Sequence, residues 1–300
     1  MILEFAGTGY GPANQPTSRR VELFADWIET QVLLKGSGLA KPELVERLEG
    51  TGRVANSDDA WALIDDAFIT CRRRQRVLGT AYPVSVAGSS IDILGEPCIA
   101  YKFCLLASLP EQFTPLRTSY PQEFRDLFEH LVAHALQGIL PGWKVYPTGW
   151  AGIAADGKRK IVQQIADWSV GKFIDDTVFP NANDAQVDVA VVRSFKDGRN
   201  SVPVMLGQCA TGVTDWKDKL ARPNLDRWCS AVQFSARPIR LFAVPFALDE
   251  MSFREAVVES NGLVLDRIRI CEETKDLPQG LSETLDTWLG LASALMPQAA

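Results

Sequence analysis

The sequence contains no long apolar segment. A helix that spans a bilayer needs about 20 apolar residues in succession, and the longest candidate, residues 98–109, is interrupted by Lys102. No membrane-spanning helix is therefore expected. Glu4 stands where a secretory signal would carry basic residues, and no long apolar core follows it. We accordingly expect a cytoplasmic protein and neither an exported nor an integral membrane protein.

The cysteine and histidine patterns of disulfide frameworks and zinc sites are also missing. The 6 cysteines are scattered without a C-x-x-C pair, which is typical of reduced thiols. The only 2 histidines, His130 and His134, would share one helix face, but Glu129 precedes them, so the string H-E-x-x-H is absent. Partly buried or surface histidines are favoured over a zinc pair. No G-x-S-x-G elbow occurs either, and Cys209 is expected to be a buried strand thiol.

An excess of positive charge is lacking as well. The net charge of −6 argues against a protein that coats nucleic acid by bulk attraction, so any nucleic-acid contact must be local. Residues 72–76 and 158–160 are basic clusters that could contact phosphates. The alternative for both is structural, because basic residues in a last helical turn complement the helix dipole and lysines in loops are usually solvated.

With 300 residues the chain is long enough for two domains. Apolar residues at helical spacing predict three successive helices over 17–35, 42–48 and 57–78, the last of them capped by Ser57. Short strands are expected between 82 and 93, and residues 98–109 fit either a buried strand or a buried helix. Because prolines make residues 110–120 the best linker, we predict a mainly helical N-terminal module over 1–115 and a second domain over 120–300.

The second domain is predicted to mix helices and strands. Its expected elements are helices over 122–137 and 161–170, strands over 144–146 and 240–244, a helix from about Thr214 or Asp215, and helices near Phe253 and Ser282. Between them, strands over 187–192 and 204–210 flank Asp197 and Gly198, a strong turn signal. The fold class is therefore α/β.

The predicted hairpin brings two polar side chains together. If the chain folds back at Gly198, facing residues have numbers that sum to about 396, so Asp188 lies beside Gln208. Both stand in otherwise apolar strands. A carboxylate in such a strand costs several kcal/mol to desolvate unless it is paired or holds a metal. The alternative is that Asp188 ends a strand and accepts backbone N–H bonds.

These residues and the preceding helix resemble the PD-(D/E)XK, or restriction-endonuclease-like, nuclease superfamily. The string Phe124-Arg125-Asp126-Leu127-Phe128-Glu129 is similar to the family's first core helix, which supplies a Glu. Asp188 then takes the position of the Asp at the end of a central strand, and Gln208 that of the acid on the next strand. The resemblance implies a restriction-endonuclease-like mixed sheet flanked by helices. It also implies that Glu129, Asp188 and Gln208 are catalytic residues that hold Mg²⁺ or Mn²⁺ for phosphodiester hydrolysis.

The sequence departs from the family at the lysine. The family's lysine would fall at Ala210, and Gln208 replaces an acid, so metal affinity should be weaker. Some members carry the lysine on the following helix, where Lys217 and Lys219 are available. We select Lys219 as the catalytic lysine and expect Lys217 to be solvated.

The resemblance implies a metal-dependent nuclease that cuts DNA in preference to RNA, in the manner of a restriction or antiviral defence effector. The N-terminal module would then serve sensing, binding of a protein partner or effector, or homo-oligomerisation. One alternative is an inactive nuclease fold kept as a binding or scaffolding subunit, which the missing lysine favours. Another is an unrelated α/β protein in which Asp188 and Gln208 form a structural hydrogen bond.

Overall fold

The computed structural model describes residues 17–50, 54, 56–94, 98–108, 121–149, 154–174, 186–213 and 215–294. The predicted linker at 110–120 and the start of a helix at Thr214 lie outside these residues. The described chain forms two compact units. The first contains the residues up to Pro121, Pro245–Glu250 and those from Arg267 onward, and the second contains Gln122–Val244 and Met251–Asp266.

The first unit is mainly helical, as the sequence predicts. Its elements are α1 (Thr17–Lys35), β1 (Leu39–Ala40), α2 (Lys41–Gly50), α3 (Ser57–Leu78), β2 (Val84–Ala87), β3 (Ser90–Ile93) and α4 (Ile99–Ser108). The segment that fitted a strand or a helix is thus helical, and it is almost entirely buried. The cap of α3 differs from the expected Ser57: Asn56 precedes the helix, and its side chain accepts a hydrogen bond from the Asp59 backbone.

The C-terminal boundary also differs from the predicted one. Two further helices, α9 (Arg267–Glu272) and α10 (Gln279–Ala294), belong to the first unit, so the second unit does not extend from 120 to 300. Both pack against α4. Periodicity along the sequence does not predict this assignment, because the apolar face of a helix can pack against the core of either unit.

A buried ionic network explains how α9 joins the first unit. Three acids on one face of α1, Glu22, Asp26 and Glu29, surround the Arg74 guanidinium of α3 at 2.6 to 2.7 Å. Arg267 of α9 pairs with Asp26 and donates to the Ser108 hydroxyl of α4 at 3.1 Å.

Two tyrosines complete this network. Tyr82 and Tyr101 donate to the two carboxylate oxygens of Glu29 at 2.6 and 2.7 Å. Arg73, half exposed, pairs with Glu22 at the margin of the network. The three buried carboxylates are therefore matched by three guanidinium groups and by two hydroxyl donors.

The second unit is an α/β unit built on a mixed five-stranded sheet flanked by helices. Its helices are α5 (Pro121–Ile139), α6 (Ala155–Trp168), α7 (Leu225–Ala231) and α8 (Glu250–Ser260). The sheet contains β4 (Lys144–Pro147), β6 (Val189–Val192), β7 (Val204–Cys209), β9 (Ile239–Ala243) and β10 (Gly262–Leu265). A separate pair joins β5 (Lys172–Phe173) to β8 (Val232–Gln233). No described helix has the length and apolar character needed to cross a membrane.

The strand order in the sheet is β10-β9-β7-β6-β4. The β4–β6 and β6–β7 pairs are antiparallel, whereas β9 runs parallel to β7 and to β10. Val189 faces Gly207 in the β6–β7 pair, which confirms the predicted register with a sum of 396. Every residue of β6 is buried, as expected for a strand covered on both faces. One face packs on α6 and α7 through Ile165, Trp228 and their neighbours.

The network around Arg74 and Arg267 predicts that Arg267→Ala destabilises the protein by about 3 to 5 kcal/mol, because it leaves Arg74 as the only fully buried cation in the network beside three buried carboxylates. Urea unfolding followed by tryptophan fluorescence measures this change. Arg269→Ala is the matched control, since Arg269 lies on the same helix and is exposed, and a change within about 0.5 kcal/mol is expected there. Equal stability of the two variants would contradict this account of the network.

Candidate metal-binding site

Asp188 is fixed by the backbone on both sides of its strand. It immediately precedes β6, and its N–H donates to the Gly207 carbonyl of β7 at 2.8 Å. Its own carbonyl accepts from the Thr148 N–H at 2.8 Å, next to β4. The side chain is 1% exposed. The backbone of Asp188 is therefore held by both neighbouring strands, and its carboxylate is buried at this end of the sheet.

Gln208 lies directly beside this carboxylate, as predicted. Its side-chain amide donates to Asp188 Oδ2, and the Cys209 backbone N–H donates to the same oxygen at 2.7 Å. The other oxygen, Oδ1, accepts from the Gln186 amide at 3.2 Å. The hydrogen bond between Asp188 and Gln208 is equally compatible with a purely structural role. The residues around the pair distinguish that role from a metal site.

Glu129 is the residue that distinguishes a site from a structural bond. It lies on α5 at 4% exposure, and the negative charge of Asp188 acts on it. Desolvation, followed by the charges of Asp188 and Asp126, raises the pKa of Glu129 to about 9. A hydrogen bond from the Gly149 backbone lowers the pKa by less than those effects raise it. Two desolvated carboxyl groups from different elements thus interact within one unit.

The same desolvation acts on Asp188. Burial raises the pKa of this carboxyl to about 6, against the hydrogen bonds from Cys209 and Gln186, which lower it. The neighbouring thiol responds to both acids: desolvation and the charges of Asp188 and Glu129 raise the pKa of Cys209 well above its ordinary value. Cys209 is therefore protonated at neutral pH and is a poor nucleophile.

Two buried oxygens at this place lack hydrogen-bond partners among the described residues, Glu129 Oε2 and Gln208 Oε1. An unsatisfied buried acceptor costs about 1 to 3 kcal/mol. With the Asp188 carboxylate, these oxygens form the set of hard donors that Mg²⁺ and Mn²⁺ prefer. The donor set fits such a cation, although the described residues contain no cluster of three or more His, Cys, Asp and Glu side chains suited to a metal. The third donor here is an amide.

The two candidate lysines have different surroundings. The positive charge of Lys219 lowers the pKa of Asp188, and its ammonium group pairs with Asp215 at 2.7 Å. Lys217 is 45% exposed and pairs with Glu255. Instead of the predicted helix from Asp215, this segment contains a short 3₁₀ turn at Lys217–Lys219. Ala210, at the family's lysine position, is completely buried.

Arg125 is a charged residue near the site that the sequence patterns did not identify. Arg125 lies one helical turn before Glu129, is exposed, and lowers the pKa of both Glu129 and Asp188. Its spacing of four residues from Glu129 on α5 was the available signal. The site therefore has cations on two sides, Arg125 on the helix and Lys219 after β7.

The other sequence candidates lie elsewhere. His130 is exposed whereas its neighbour Glu129 is buried, so the two side chains leave α5 in different directions. In the first basic cluster, Arg74 is buried in the ionic network, Arg73 pairs with Glu22, and Arg72 donates to the Gly88 carbonyl. Three of its four arginines, Arg72, Arg73 and Arg74, therefore form contacts within the first unit. Of the second cluster, Arg159 and Lys160 are exposed.

Comparisons with protein-family models, curated proteins and solved structures give no match to this chain.

The raised pKa values predict that stability without divalent cations falls as pH rises. Between about pH 4.5 and 9 the folded protein retains a proton on Glu129 that the unfolded chain has released, and between about pH 3.8 and 6 it retains one on Asp188. The folded state binds more protons, so its stability decreases through that window, by on the order of a few kcal/mol. Thermal unfolding in EDTA from pH 5 to 9 measures the decrease.

Glu129→Gln should remove much of this decrease, because the amide has no proton to lose. Glu123→Gln is the matched control on the exposed side of the same helix, and it should follow the native pH profile. A native protein whose stability is flat between pH 5 and 9, or an unchanged slope in Glu129→Gln, would show that these carboxyls are not desolvated.

Proposed function

We propose that the second unit is a nuclease domain with the restriction-endonuclease-like fold, which hydrolyses phosphodiester bonds, with DNA as the favoured substrate. One observation carries the proposal: two buried oxygens without partners, Glu129 Oε2 and Gln208 Oε1, accompany the buried carboxylate of Asp188. A protein gains nothing in stability from such an arrangement. A divalent cation would compensate all three groups at once.

The order of elements supports the proposal. The helix α5 carries Glu129, the antiparallel strands β6 and β7 present Asp188 and Gln208 at one end, and Lys219 follows before the parallel strand β9. This is the arrangement that the family resemblance implies for its acids, with the lysine moved beyond the second strand.

The residues have separable roles in this proposal. A bound Mg²⁺ or Mn²⁺ would polarise the phosphate and lower the pKa of an attacking water. Asp188 would offer Oδ1, which accepts one hydrogen bond, from Gln186, whereas Oδ2 accepts two, from Gln208 and Cys209. Glu129 would lose its proton on binding the cation. Lys219 would stabilise negative charge on the phosphate as it develops.

A binding subunit with a silent site is the second candidate. Two observations favour it: Ala210 takes the position of the family's lysine, and Lys219 pairs with Asp215. In that case the unit would bind cation and nucleic acid without cutting. The two candidates differ in turnover, so a cleavage assay separates them.

Cleavage of plasmid and single-stranded DNA and RNA in Mg²⁺ or Mn²⁺ is expected for the native protein and not in EDTA. Asp188→Ala should reduce the rate at least about 100-fold, because it removes a cation ligand, and Lys219→Ala should do so by about 10²-fold or more, since it removes a charge from the transition state. Agarose gels and a fluorogenic oligonucleotide give the rates.

Lys217→Ala is the matched control for Lys219→Ala, because Lys217 belongs to the same turn but pairs with Glu255. It should cleave at the native rate. Cation binding without cleavage of any substrate would establish the silent-site subunit. Equal activity in Lys219→Ala and Lys217→Ala would remove Lys219 from the mechanism.

Binding of Mn²⁺, measured by calorimetry in two buffers of different ionisation enthalpy, should release protons and should strengthen from pH 6 to pH 9. Gln208→Glu should bind more tightly, because it adds a carboxylate, and should lower the thermal midpoint in EDTA. Asp188→Ala should lose binding, whereas Glu123→Gln should retain it. Absence of Mn²⁺ binding by the native protein at every pH would overturn the proposed metal site.

A further inference from the structure

A second charged surface lies at the other end of β6. Asp188 precedes this strand and Arg193 follows it, so the two ends are separated by roughly 17 Å at about 3.3 Å per residue. The turn between β6 and β7, together with the start of β4 and the end of α6, forms a surface that we call the basic turn surface. It consists of Lys144, Trp168, Arg193, Phe195, Lys196 and Arg199.

Contacts within the second unit hold these residues together. Lys144 faces Val192 across the β4–β6 pair, and the Arg193 guanidinium donates to the Gly142 carbonyl just before β4. The Ser194 hydroxyl donates to the Trp168 carbonyl at the end of α6, at 3.1 Å. The surface is thus built by three different elements, and its shape does not depend on the turn alone.

Cations and aromatic rings alternate on this surface. The Lys144 ammonium lies 5.3 Å from the centre of the Trp168 ring, and the Arg193 guanidinium lies 5.9 Å from that of Phe195. Phe195 is 49% exposed. Among the described residues of the second unit, it is the only aromatic side chain exposed to this extent. An exposed phenyl ring between cations offers a stacking face next to charge.

The charge of the surface is opposite to that of the whole chain. Its four cations, Lys144, Arg193, Lys196 and Arg199, accompany one acid in the turn, Asp197, which pairs with Arg199. The chain as a whole has a net charge of −6. Such a local reversal is what a polyanion requires, because affinity for nucleic acid comes from the phosphates that Lys and Arg neutralise.

We propose that the basic turn surface binds single-stranded nucleic acid, with Phe195 stacking on a base and Lys196, Arg193 and Lys144 contacting phosphates. Exposed aromatic rings interleaved with cations are the usual means of binding single strands without sequence preference. A membrane surface is disfavoured, since one exposed phenyl ring buries too little apolar area for stable insertion. The inference deepens the proposed nuclease function, on which its link to cleavage rests.

The separation from the acid site adds a length requirement. At an axial rise of about 3.4 Å per nucleotide, 17 Å corresponds to about five nucleotides. A strand that keeps this stacked rise and occupies both the acid site and the basic turn surface would therefore extend about five nucleotides beyond the bond that is cut. The rate at which shorter substrates are cut should not change when residues of this surface are substituted.

The test measures binding of fluorescein-labelled poly(dT) and poly(U) strands of 4 to 20 nucleotides by anisotropy, in Asp188→Ala protein with EDTA. Phe195→Ala should weaken binding of the longer strands about tenfold through lost stacking. Lys196→Ala should reduce the slope of log affinity against log salt by about one. Val258→Ala and Arg237→Ala are matched exposed controls in the same unit and should bind as the parent does.

The outcomes separate this inference from the proposed function. If Phe195→Ala and Lys196→Ala bind like the controls, or no strand binds, the basic turn surface is not a nucleic-acid site, whatever the cleavage assay shows. If binding depends on these residues but the native protein cleaves nothing, the surface is established and the nuclease is not. Binding of vesicles containing anionic lipid that is lost in Phe195→Ala, without strand binding, would assign the surface to a membrane and overturn the proposal.

Discussion

The free-energy cost of desolvating charged side chains is the constraint that shapes both units. An ion buried without compensation costs several kcal/mol. The first unit compensates its buried acids: the carboxylates on α1 are matched by arginines from α3 and α9 and by two tyrosine hydroxyls. Two buried acids of the second unit are not paired in this way. Neither Asp188 nor Glu129 forms an ion pair among the described residues, and their pKa values rise instead. This difference is why the second unit carries the candidate site.

The sheet keeps the uncompensated groups in place. Asp188 is hydrogen-bonded through its backbone to the strands on both sides, so the side chain is presented at a fixed position. Gln208 is held opposite by the β6–β7 register, and its amide nitrogen is committed to Asp188, which leaves its oxygen without a partner. The helix α5 then adds Glu129. For the proposed cation, a donor set positioned by three elements of secondary structure would need little rearrangement, which is the property that a catalytic metal site requires.

Local sequence patterns predicted most helices and strands, and they also predicted the contact between Asp188 and Gln208. The Asp-Gly turn signal fixed the hairpin register, and with it the Asp188–Gln208 contact, because facing residues in a hairpin follow from the turn alone. The three N-terminal helices followed from apolar spacing and caps. Residues 98–109 fit either a strand or a helix, since a mostly apolar run has too little periodicity to distinguish the two. The helix predicted from Asp215 is only a 3₁₀ turn.

Other features depend on contacts between distant parts of the chain. Arg74 stands among exposed arginines in the sequence, and only the packing of α1 and α9 around it makes it the centre of an ionic network. Likewise, nothing local to residues 267–294 assigns them to the first unit, or gives Arg125 an influence on Asp188. The sequence by itself determined the α/β class, the hairpin register and the identity of the acids, because these follow from short-range periodicity and turn chemistry. Tertiary structure alone decided which charges are compensated, since compensation depends on distances between residues far apart in the chain.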